Sequence, residues 1–132
     1  SVGLLEHFDN PFSVIREQVA TTKEGGYNLV DVPQTFSLWT LKKNIWNKIG
    51  KNPYGHELSF TTKELARIAQ TLNLKVVQFY GRGSSLTFRL PKRVRRYWDR
   101  LFGLIEGNRF GPFLCLNLGM ISIKPAHYYH LQ

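Results

Sequence analysis

Apolar positions along the chain recur at two spacings, one helical and one strand-like. After Asp9-Asn10-Pro11, which offers an N-cap and a first-turn proline, Val14, Ile15, Val19 and Ala20 recur at helical spacing until Gly25-Gly26 stops the helix. Tyr27 to Val32 is short and β-branched and runs into Pro33, which predicts a strand. From Leu38 to Gly50 the residues Leu38, Leu41, Ile45 and Ile49, with Trp39 and Trp46, predict an amphipathic helix whose other face carries Lys42, Lys43 and Lys48. A further helix starts at Thr61 or Thr62 with Glu64 placed for a capping box, and Leu65, Ile68, Ala69 and Leu72 share its apolar face. Lys75 to Tyr80 predicts the next strand, Pro91 to Ile105 a basic helix with Val94, Tyr97, Trp98, Leu101 and Ile105 in register, and Phe113 to Ile123 a last strand. That alternation predicts an α/β sheet with helices on both faces. Ligands in such sheets sit at the carboxyl ends of strands, here Val32-Pro33-Gln34 and Tyr80-Gly81-Arg82.

Composition narrows the class. The 132 residues are 42% apolar and 20% charged, enough for one domain with its own core and unlike a disordered chain. Aromatics reach 14%, which implies a core of large side chains or an apolar pocket. Cys115 is the single cysteine, so neither an internal disulfide nor a thiolate metal cluster is available, and a cytoplasmic setting with a buried, inert thiol is expected. No apolar run is long enough to cross a membrane. The start, Ser1-Val2-Gly3-Leu4-Leu5-Glu6-His7, has neither an initiator Met nor a basic signal, and reads as the middle of a domain.

The net charge of +9 is concentrated: between Arg82 and Arg109 eight basic residues face only Asp99 and Glu106. Lys92-Arg93-Val94-Arg95-Arg96-Tyr97-Trp98 is a cationic helix face suited to an anionic membrane surface, to an RNA backbone, or simply to water.

Four segments in order carry a resemblance. Gly3-Leu4-Leu5-Glu6-His7-Phe8-Asp9-Asn10-Pro11, then Lys23-Glu24-Gly25-Gly26-Tyr27 onward to Pro33, then His56-Glu57-Leu58-Ser59-Phe60 to Leu65, and last the strand of residues 113–124, are similar to class I S-adenosylmethionine-dependent methyltransferases from the fourth strand onward. The resemblance covers nearly the whole chain. It implies one domain holding part of a Rossmann-like sheet, strands four to seven with flanking helices and the last strand antiparallel. Residues 34–55 and 84–110 would be insertions. The family's Gly-rich cofactor loop has no counterpart here; Gly81-Arg82-Gly83 comes nearest but lies too late in the chain.

The function implied is that of the acceptor-binding half of a methyltransferase. Glu6, His7 and His56 would be the catalytic residues; Ser1, Gly3 and Leu4 would touch the S-adenosylmethionine bound mostly by absent residues; Trp39, Tyr54 and Arg82 would bind a small or lipid-like acceptor. Related enzymes with an E-x-x-E-H motif bind a divalent metal, but the first Glu position is Gly3 here, so no metal is expected. Phe36, Trp39, Trp46 and Ile49 would close a lid over the acceptor, or belong to the core. The partners implied are an N-terminal half or partner chain, an anionic membrane surface, nucleic acid as the weaker expectation, and a second copy through an exposed sheet edge. The alternative function is a non-catalytic, degenerate methyltransferase-like module that binds nucleic acid, membrane or protein through its basic helix.

Overall fold

The computed structural model describes residues 1–49, 58–83, 91–106 and 108–126. The chain opens with a single 3-10 turn at Leu5–His7, followed by α1 (Pro11–Thr21), β1 (Tyr27–Pro33), α2 (Leu38–Lys48), α3 (Thr62–Thr71), β2 (Lys75–Arg82), α4 (Lys92–Glu106), α5 (Gly111–Leu114) and β3 (Asn117–Ile123). The three strands lie in the order β1-β3-β2, with β3 antiparallel to both neighbours. A central strand that is last in sequence therefore joins two strands that do not touch each other.

The helix boundaries follow local chemistry. Asn10 accepts a hydrogen bond from the Ser13 amide at 3.3 Å and Pro11 sits in the first turn, so α1 starts where its orphan amides are satisfied. The other end of α1 is closed from far away in sequence: the buried Lys124 donates to the carbonyls of Val19 at 3.0 Å and Thr22 at 2.9 Å. Thr61 and Glu64 form a full capping box on α3.

Strand pairing puts Val30 opposite Met120 and Val32 opposite Leu118, all buried, with Phe79 beyond Met120 on the same side. Ile15 and Val19 from α1, Leu65 and Ala69 from α3, and Leu5 join them in one core. Of the helices expected on both faces, α1, α3 and α5 lie on this one. The other face carries Tyr27, Leu29, Asp31, Ile121 and Tyr80; Tyr27 and Leu29 are exposed there, and no described helix covers them.

Two further expectations are corrected. The segment predicted as strand from Phe113 begins as helix, because Pro112 fits a first helical turn and the Cys115 amide donates to Gly111 O at 3.0 Å; pairing starts only at Asn117. The amphipathic helix α2 forms but faces the wrong way: Thr40 and Lys43 are buried, while Leu38, Leu41, Ile45 and Ile49 are exposed. Among the described residues no helix is long and apolar enough to cross a membrane.

Candidate active site

Polar side chains gather around the carboxyl end of β1. Residues 1–3 run beside it: Val2 forms a parallel bridge with Asp31, whose amide donates to Ser1 O at 3.0 Å and whose carbonyl accepts from the Gly3 amide at 3.2 Å. Gly3 has φ +60, a left-handed conformation that suits glycine, and it turns the chain into the 3-10 turn. Leu5 enters the core there, and Glu6 follows it inward with 8% of its surface exposed. Its Oε2 is buried without a hydrogen-bond partner, and its Oε1 lies 4.0 Å from Nε2 of the exposed His7. A buried polar atom left unpaired is costly and is a mark of functional sites. The Glu6 carbonyl accepts from the Leu58 amide at 3.0 Å, which ties the segment leading into α3 to the same turn.

A second cluster surrounds Asp31, buried in the row Asp31–Gly119–Tyr80 across the three strands. Its Oδ1 accepts from Asn117 Nδ2 at 3.1 Å and its Oδ2 from the Tyr80 hydroxyl at 3.2 Å, while Arg82 Nε stands 3.9 Å from Oδ2. Burial, followed by the Asp31 charge and hydrogen bond, pushes the Tyr80 phenol above its ordinary range, with Arg82 opposing. Cys115 is buried as expected; desolvation, then the Glu106 charge, pushes its thiol up to about 11, so it is inert.

The structure brings Ser1, Gly3, Leu4, Glu6 and His7 together in one turn and connects Arg82 to it through Asp31. Trp39 stands on α2, its ring edge-on to Trp46 at 6.3 Å with the Lys42 amine over both. Tyr54 and His56 lie outside the described residues. Glu6 is buried rather than solvated, since Leu5 draws the turn into the core and takes Glu6 with it. Sequence reasoning missed Asp31, Tyr80 and Asn117. The available signal was an acid between Val30 and Val32, on the opposite face of a strand whose valines point to the core.

No protein-family model matches the sequence, and no curated protein matches it. Among solved structures, the crystal structure of a SAM-dependent methyltransferase from Archaeoglobus fulgidus superimposes over 93% of this chain with a TM-score of 0.55 and 18% sequence identity. The chain shares that protein's fold. It spans 57% of that protein's length.

The Gly3 amide is already bonded to Asp31, and a Cβ at Gly3 would meet only Glu6 Oε1 at 3.7 Å, an ordinary contact that reserves no close backbone approach for a ligand. The described residues also hold no cluster of three His, Cys, Asp or Glu side chains placed for a metal.

Proposed function

We propose that this chain is the acceptor-binding half of a SAM-dependent methyltransferase, acting on a small or lipid-like acceptor. In this reading β1, β2 and β3 are the fifth, sixth and seventh strands of the sheet, and residues 1–3 are the end of the fourth. The donor is then gripped mainly by polypeptide beyond these 132 residues. The shared fold supports the reading, as do the antiparallel last strand and the uncovered sheet face, which offers room for the remaining elements.

The observation that carries the site is the unpartnered, buried oxygen of Glu6 beside His7. Methyl transfer needs an aligned acceptor and, for a hydroxyl acceptor, a group that takes its proton. Glu6 Oε2 accepts the acceptor's hydroxyl hydrogen bond and takes its proton as the methyl is transferred, and His7, close by and open to solvent, passes that proton to water. Arg82, turned by Asp31, faces the acceptor's polar end, and Trp39 its apolar part; Tyr54 is proposed for the apolar part on the motif resemblance alone. His56 is proposed as a further catalytic residue on the motif resemblance alone.

The test uses the full protein of the source reading frame. Release of S-adenosylhomocysteine is measured with a small-molecule extract as acceptor, and donor binding is measured by calorimetry. Glu6→Gln is expected to leave donor affinity within about twofold while lowering turnover by roughly a hundredfold or more, the range for removing a proton-transfer group. Unchanged turnover in Glu6→Gln would remove Glu6 from the site. Tight donor binding by the 132-residue chain alone would overturn the half-domain reading.

A further inference from the structure

Among the described residues, helix α4 is attached to the protein along one edge. Phe102 is its single buried residue; Trp98 packs on Phe102 at 5.4 Å between ring centroids, and Glu106 Oε1 accepts from the Gly83 amide at 2.7 Å. Away from that edge, Val94, Tyr97, Leu101 and Leu104 are 47%, 75%, 48% and 75% exposed. Their spacing of three, four and three residues makes them one continuous stripe along the helix.

Charge completes the pattern. At 3.6 residues per turn, Arg93 and Arg100 lie directly beside Tyr97 and Leu104. Lys92 and Arg96 lie behind them, and Arg95 pairs with Asp99 at 3.7 Å. Lys92, Arg93, Arg96, Tyr97 and Arg100 surround a concavity of about 450 Å³. The first turn of α4 has no acidic residue, so Lys92 and Arg93 oppose the positive end of the helix dipole. An external layer of negative charge would relieve that opposition.

We propose that α4 docks the protein reversibly on an anionic lipid surface. Val94, Tyr97, Leu101 and Leu104 enter the boundary between headgroups and acyl chains, and Arg93 and Arg100 lie among the lipid phosphates. An RNA backbone matches the cations equally well but offers no apolar phase to the stripe. The bilayer satisfies both, and Tyr97 has the apolar body and polar tip of an interfacial residue. The inference does not depend on methyl transfer.

The experiment is co-sedimentation of the 132-residue chain with vesicles of phosphatidylcholine alone or with about a third phosphatidylglycerol. The chain is expected to bind the anionic vesicles, more weakly as salt rises. Arg93→Glu with Arg100→Glu, and separately Leu101→Ser with Leu104→Ser, should each lower the partition coefficient roughly tenfold or more. Because Cys115 is unreactive, a nitroxide placed at Tyr97→Cys or at Lys92→Cys labels a single site. Oxygen should reach the label at position 97 more readily than that at position 92 when vesicles are present. Absence of vesicle binding, a serine variant that binds as well as the parent, or equal oxygen access at the two positions would each overturn the proposal. So would tighter binding to an RNA duplex that the serine variant retains.

Discussion

Asp31 illustrates how one side chain can be set by a strand's two faces. Val30 and Val32 point into the core, so the residue between them must point away, where Asn117, Tyr80 and Arg82 converge on its carboxylate. The Tyr80 hydroxyl is a donor only while protonated, so its bond to Asp31 adds to the rise in pKa that burial begins and the Asp31 charge extends. A group whose folded pKa is raised contributes stability that is complete below its unfolded value, about 10 for a phenol, and is lost as pH rises through the folded value. Tyr80→Phe should therefore cost about 1–2 kcal/mol at neutral pH, and the gap from the parent should narrow above about pH 10 in urea titrations. At this scale the sequence singled out Glu6 and His7 as candidates only through a resemblance of motif. The burial of Glu6 was not legible, because the Leu5 that pulls it inward gives no periodic signal in a three-residue turn.

Elements with their own local signals were read correctly from the sequence. The α3 capping box and apolar face, and the Asn10-Pro11 start of α1, are complete within a few residues. Elements decided by distant contacts were not. The apolar stripe of α2 is strong, yet Thr40 and Lys43 are its buried side, so periodicity established the helix but not its orientation. Close approach between elements makes a further prediction. A Cβ at Gly81 would strike the backbone of Gly111, which cannot move without shifting α5. A Cβ at Gly119 would strike the Tyr80 ring, which can swing away at the loss of its bond to Asp31. Gly81→Ala should thus destabilise by about 2 kcal/mol or more, as overpacking against backbone does, and more than Gly119→Ala. Adding Tyr80→Ala to Gly119→Ala should remove the clash term in a double-mutant cycle read by thermal unfolding, whereas the Gly81→Ala penalty should be insensitive to Tyr80→Ala.

For the whole molecule, alternation of helix and strand established the α/β class, but not which face the helices cover. Coverage depends on where the chain crosses the sheet, and α1, α3 and α5 all lie on the side of Val30, Leu118 and Phe79. The opposite face exposes Tyr27 and Leu29, and among the described residues β2 has a strand neighbour on one side only. The chain prepared alone should therefore self-associate, and its weight-average mass in sedimentation equilibrium should rise with concentration above 15.3 kDa. A constant monomer mass would show that this surface is tolerated in water.

The order β1-β3-β2 also bears on synthesis. As the polypeptide leaves the ribosome, β1 and β2 have no full ladder to join, since among the described residues their strand partner in the sheet is residues 117–123. The same final stretch brings Lys124 to the open carbonyls of α1. Nascent material released before that stretch emerges would carry helices with no sheet to pack on, so residues 117–124 decide whether β1 and β2 find their ladder.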